Sequence, residues 1–176
     1  MRHGHFVQFF GSEGQHADAV AWFVKETLDA GSTCIVVATP EHRSAIASRV
    51  RGLGLDIAAA AAAYQYIELD AQTVLSGFLE GTRCNRQKFH SMLDTLLRQA
   101  ASRGAPVRIF GEMVSLLAQD GLTDAALELE ELWNELSRHH HFTLFCGYCE
   151  ALLPQSIRMR HALERVRALH ERVVTN

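Results

Sequence analysis

Proline, net charge and long apolar runs are scarce in this sequence, and each scarcity narrows what the chain can be. Three prolines in 176 residues leave no proline-rich linker or recognition segment. A formal net charge of −3 removes any general pull toward nucleic acid or an anionic bilayer. Arg108, Arg158, Arg160, Arg165 and Arg167 make the last third locally basic, but acids are interleaved, so a solvated helix face is expected there. No apolar run approaches the ~20 residues of a membrane helix. Met1-Arg2-His3-Gly4-His5 leads straight into a strand pattern without a signal peptide, and a cytoplasmic location is expected. In a reducing compartment Cys34, Cys84, Cys146 and Cys149 are expected as thiols. What is present is ordinary for a globular protein: 48% apolar and 21% charged residues, enough for one domain, or one domain with a tail, around a sizeable core.

Short apolar runs alternate with longer amphipathic ones, the pattern of an α/β architecture with a mostly parallel sheet. Strands are expected at His5–Phe10, Thr33–Ala38, Tyr64–Leu69, Val107–Phe110 and Phe142–Gly147. The first is followed by a loop, Gly11–His16, and a helix, Ala17–Ala30, in which Val20, Phe23, Val24, Thr27 and Leu28 keep the 3.6-residue period. Thr39 and Pro40 start the next helix as N-cap and first-turn residue. The alanines 58–63 read as helical or linker filler, and Asp70 as the cap of Ala71–Leu79. Glu80–Arg86 reads as a loop, and helices are expected at Gln87–Arg103, Val114–Ala118, Thr123–Arg138 and about Ser156–Val173. These elements make three α/β/α layers over residues 1–153, with residues 154–176 as a C-terminal helix packed on them or extending from them.

The chemistry of a hydrolase is missing. The strand–loop–helix order at Phe6–Ala30 is that of a P-loop, which needs G-x-x-x-x-G-K-[ST] to cradle phosphates and hold magnesium. Counting from Gly11, the last three places hold His16, Ala17 and Asp18. The lysine is gone, and a carboxylate stands where the hydroxyl belongs, which repels phosphate. The Gly-x-Ser-x-Gly elbow of a serine hydrolase is also absent. No catalytic residue is assigned, and a binding module is expected in place of an enzyme.

In open parallel sheets, ligands bind where the carboxyl ends of the strands converge. The loops at 11–16, 39–41, 70–71, 111–113 and 146–148 should meet there. The candidate ligand-binding residues are accordingly Phe10, Ser12, Glu13, Gln15, His16, Thr39, Glu112, Met113 and Trp133, with Phe9, Phe10 and Phe110 as an apolar wall. Glu112 reads equally as a ligand contact and as a first-turn carboxylate favoured by the dipole of its own helix. Trp133 shares a face with Leu129, Leu132 and Leu136, a pattern found more often in cores than in ligand cages. Cys146-Gly147-Tyr148-Cys149 is a C-x-x-C, a spacing that suits zinc or thiol redox chemistry. Zinc needs further ligands, and no second C-x-x-C or H-x-x-x-H is present, so His3, His5, His140 or His141 would have to come close. No cofactor is expected, with zinc at Cys146 and Cys149 as the alternative.

Four blocks in order carry a resemblance to a known family: His5-Phe6-Val7-Gln8-Phe9-Phe10, Val36 to His42, Arg108 to Val114, and Leu127 to Leu136, with His161–Val174 as a closing segment. Over nearly its whole length the chain resembles the MEDS domain, the methanogen/methylotroph, dichloromethane-responsive repressor sensory domain. The resemblance implies a degenerate RecA/KaiC-like core with sheet order 5-1-4-3-2, and it places Glu112 where such an ATPase presents its Walker B carboxylate. It implies a non-catalytic sensory module that binds a small molecule and regulates a signalling partner, such as a histidine kinase or transcription regulator, or acts as a homodimer. Weak nucleotide binding and a C-x-x-C metal or redox protein are the alternatives.

Overall fold

The computed structural model describes residues 4–174; His3, considered above as a partner for the C-x-x-C, lies outside them. The chain runs β1 (Gly4–Phe10), α1 (Glu13–Asp29), β2 (Thr33–Ala38), α2 (Pro40–Gly52), α3 (Ile57–Ala62) and β3 (Tyr66–Asp70). α4 (Ala71–Ser76) and a small antiparallel hairpin, β4 (Leu79–Glu80) with β5 (Arg83–Cys84), lead to α5 (Arg86–Ala101), β6 (Val107–Gly111), α6 (Met113–Gln119) and α7 (Thr123–Leu136). β7 (Phe142–Cys149), a 3-10 turn, α8 (Ile157–Leu169) and β8 (Arg172–Val174) follow.

Local chemistry starts most of the helices. Ser12, Thr39, Asp56, Asp70, Asn85 and Ser156 each accept a hydrogen bond from the backbone N–H three residues on. Each such cap is worth ~1 kcal/mol.

The main sheet has six parallel strands in the order β3-β2-β6-β7-β1-β8. Alternation along the strands divides the core in two. Val7, Ile35, Val37, Ile109, Leu144, Cys146 and Tyr148 face one side, with α4 to α8. Phe10, Cys34, Val36, Ala38, Phe110 and Phe145 face the other, with α1 and α2. β2 is buried at every position, as a strand covered on both faces must be. The architecture is therefore α/β with a mostly parallel central sheet between helical layers.

Four expectations need correction. The main sheet has six strands, not five. The five strands read from the sequence, numbered in chain order, lie 3-2-4-5-1, not 5-1-4-3-2. The final helix stops at Leu169 and the chain then extends, with Phe6, Val7 and Gln8 pairing Arg172, Val173 and Val174. Finally, α1 begins at Glu13, because Ser12 caps it and Glu13 suits its N-terminal dipole. Residues 13–16 of the stretch read as a loop are thus the first turn of a helix. A smaller difference is the β4–β5 hairpin, which occupies the stretch read as a loop.

Candidate functional site

At the carboxyl edge of the sheet one carboxylate gathers three helix ends. Gly111 closes β6 and Glu112 opens α6, but the Glu112 side chain does not cap its own helix. It crosses to α2, where Oε1 accepts from the Thr39 N–H at 2.5 Å and Oε2 lies 2.6 Å from His42 Nδ1. Thr39 itself caps α2 by accepting from the His42 N–H. A negative group at a helix N-terminus, bonded to a free N–H, is the favoured arrangement. From α1, His16 Nε2 approaches Glu112 Oε2 to 3.7 Å. Loop 11–16 and Glu112 therefore share one rim.

His16 is held from every side. Its ring meets Phe10 edge-on at 5.0 Å, His42 at 4.8 Å and Phe110 at 5.3 Å. Gly147 of β7 closes the pocket beneath it. A Cβ at that position would stand 3.1 Å from both His16 Nε2 and Phe110 Cε2, so any larger residue would press on both rings. His16 Nδ1 is buried without a hydrogen-bond partner.

The two imidazoles differ in charge preference. Burial pushes His16 down to about 4; Glu112 acts in the opposite sense, and the neighbouring His42 adds to the lowering. His42 is raised above its ordinary value, first by its hydrogen bond to Glu112, against partial burial. Burial thus favours a neutral His16, whereas the contact with Glu112 favours the protonated form of His42.

These residues border a cavity of about 200 Å³. Glu13, Thr39, Glu41, Ser115 and Gln119 supply further polar groups, and Leu116, Cys149 and Leu152 the apolar wall. The combination of a few fixed polar groups with apolar lining suits a small molecule. His16, His42 and Glu112 also offer three atoms close enough to share a cation. The 2.6 Å His42–Glu112 contact is a hydrogen bond, however, and is shorter than the ~3.3 Å that two ligands of a tetrahedral ion keep.

Of the residues selected from the sequence, the structure brings Glu13, His16, Thr39 and Glu112 to this cavity. Phe10 supports it from behind, through His16. Ser12 and Gln15 serve the turn: Ser12 accepts from the Gln15 N–H, and Gln15 Oε1 accepts from the Gly11 N–H. Met113 lies in the core on the other face of the sheet. Trp133 is buried there too, edge-on to Phe89 and Phe142. Phe9 stacks on Tyr148, on the face opposite Phe10 and Phe110, so it is not part of the wall. Asp18, which stands at the place of the P-loop hydroxyl, pairs with Arg49 of α2.

His42 was missed. Its only signal was position, in the first turn after the Thr39–Pro40 cap at the edge where ligands are expected. The C-x-x-C falls on a strand, and β7 sends Cys146 and Cys149 to opposite faces. Cys149 borders the cavity, and Cys146 points to the α7 side.

Residues 4–171 match the model of a family described as MEDS, MEthanogen/methylotroph, DcmR Sensory domain. No curated protein matches the chain.

Proposed function

The chain belongs to the MEDS family, and from that premise we propose that it is a sensory module binding a small molecule at the carboxyl edge of its sheet. The observation that carries this reading is Glu112. Buried, with 2% of its surface exposed, it links α6 to the start of α2 and to His16 of α1 at the mouth of a small cavity. A ligand that competes for this carboxylate, or satisfies His16 Nδ1, changes how α1, α2 and α6 are tied together. Such a link transmits a signal only if the ligand prefers one arrangement over the other. At about 200 Å³ the space is below the ~300–1,000 Å³ of drug-sized pockets, so the ligand is small. Its output is a change in affinity for a signalling protein, such as a histidine kinase or transcription regulator, or for a second copy of the chain.

The sheet supports descent from a RecA/KaiC-like core. With the edge strand β3 set aside, the other five strands, numbered in chain order, run 5-1-4-3-2 from β8 to β2. The phosphate chemistry of such a core has no counterpart here, since α1 starts at Glu13 and the lysine position is Ala17. Magnesium–ATP is therefore expected to give no binding heat in calorimetry.

A thermal-shift panel of small alcohols, amines and carboxylic acids tests the proposal. At least one class should raise the melting temperature of the native chain and leave Glu112→Gln and His42→Ala unmoved. Stabilisation of equal size in all three proteins, or in none, refutes the site.

A further inference from the structure

A second cluster of ligating side chains lies on the other face of the sheet, wholly inside the protein. His5 from β1, Glu130 from α7, Cys146 from β7 and His170 after α8 are each at least nine-tenths buried. One atom from each lies within 4.8 Å of the others. Glu130 Oε2 is 3.2 Å from His5 Nε2, 3.3 Å from His170 Nε2 and 3.8 Å from Cys146 Sγ. His5 Nε2 is 3.3 Å from the same sulfur. Zinc bonds of ~2.0–2.3 Å in a tetrahedron put neighbouring ligand atoms ~3.3–3.8 Å apart. Four of the six separations, at 3.2–3.8 Å, lie close to that range, and the other two are within 4.8 Å.

The surrounding hydrogen bonds leave the inward atoms available. Leu169 O can only accept, so Asn134 gives it the amide NH₂ and turns its oxygen to His5 Nδ1, 2.9 Å away. His5 Nδ1 therefore carries its hydrogen, and Nε2 faces the cluster. His170 Nδ1 donates to Val166 O at 2.6 Å. Its Nε2, although within ion-pair distance of Glu130, makes no aligned hydrogen bond and is an orphaned buried atom. Tyr148 Oη donates to Glu130 Oε1 at 2.8 Å and so turns Oε2 inward. Metal-binding histidines are held in this way, with the outer nitrogen donating to an amide or carbonyl oxygen.

Charge supports the same occupant. Glu130, with none of its surface exposed, stands at the centre of the cluster. The site thus keeps a carboxylate where an unbalanced charge costs several kcal/mol. A divalent ion with one carboxylate, one thiolate and two neutral imidazoles is neutral overall. Thiolate with imidazole favours zinc among the common divalent ions, and four protein ligands with no open position make a structural site.

We propose that His5, Glu130, Cys146 and His170 form a structural zinc site that joins β1, β7, α7 and the end of α8. The cavity of about 110 Å³ bordered by Gly4, His5, Asn134 and Glu171 provides the approach. Binding releases the thiol proton of Cys146. It is independent of the small-molecule site, with which it shares no residue.

The test uses the full chain without a polyhistidine tag. Metal analysis should find about one zinc per chain. X-ray absorption at the zinc edge should show one sulfur among four ligands, a readout that needs no variant. Cobalt in place of zinc should give a thiolate charge-transfer band and the intense visible absorption of a tetrahedral ion. Both should persist in Cys149→Ser and vanish in Cys146→Ser, and His170→Ala should weaken binding at least ~10-fold. A sulfur-free shell, a band lost with Cys149 and kept without Cys146, or a folded native chain that takes up neither metal overturns the proposal.

Discussion

Acid should remove stability from this protein through a single buried imidazole. His16 is 3% exposed, and burial lowers its pKa from 6.5 to about 4. As the pH falls below ~6.5, the unfolded chain binds a proton that the native state refuses. The native state loses stability until the pH nears the folded value, where the loss stops growing. From about pH 7.5 to about pH 4.5 this one group removes ~2.5 kcal/mol. Carboxylates and His42 titrate across the same range, so the native chain must be compared with His16→Gln, which cannot take up the proton. His42 acts in the opposite sense: with its folded pKa raised, its stabilisation is complete below about 6.5 and fades as the pH rises through the folded value. Urea unfolding of both proteins at the two pH values gives four free energies. The native chain should lose ~2.5 kcal/mol more than His16→Gln between them. Equal losses in the two proteins would show that His16 is not held neutral by its surroundings.

Three further outcomes follow from the same geometry. Glu112→Ala leaves the Thr39 N–H and His42 without their partner and should cost ~3–5 kcal/mol. Glu112→Gln keeps an oxygen for Thr39 and should cost ~1–3 kcal/mol, so equal urea midpoints for the two would contradict the bridging role. Gly147→Ala should destabilise by ~1–3 kcal/mol through contact with His16 and Phe110. Gly14→Ala, in α1 where an added Cβ meets only Ser12 Oγ at an ordinary 3.9 Å, should stabilise by ~0.5–1 kcal/mol, and a calorimetric melting series separates the two signs. Trp133→Ala should cost ~3–5 kcal/mol, whereas Trp22→Ala, at a position 54% exposed, should stay within ~0.5 kcal/mol in denaturant titration.

The fold was legible wherever a local rule decided the outcome. Cys34-Ile35-Val36-Val37 could only be a strand covered on both faces, and Thr39, Asp70 and the Gly111–Glu112 junction lie where caps and strand ends were read. The misreadings share a physical origin in long-range pairing. Arg172-Val173-Val174 continues the apolar spacing of the preceding helix, and no glycine or proline marks the break at His170. Only the edge of β1 makes it a strand. The start of α1 was obscured by Gly14, which reads as a loop residue although Ser12 overrides it. Cys146 and Cys149 looked like a pair because spacing suggests proximity, but an odd separation on a strand separates two side chains. His42, His5 and His170 carry no motif, and their importance comes from residues dozens of positions away.

β1 also bears on how the protein can be made. Of the described strands it leaves the ribosome first, yet its two neighbours, β7 and β8, come from residues 142–149 and 172–174. Until residues 142–149 have been made, an apolar segment, His5-Phe6-Val7-Gln8-Phe9-Phe10, has no edge to join. Late, distant pairings of this kind slow folding and leave the nascent chain open to aggregation. The pairing of β1 with β8 can thus close only after α8 has been made and its end brought back to the sheet.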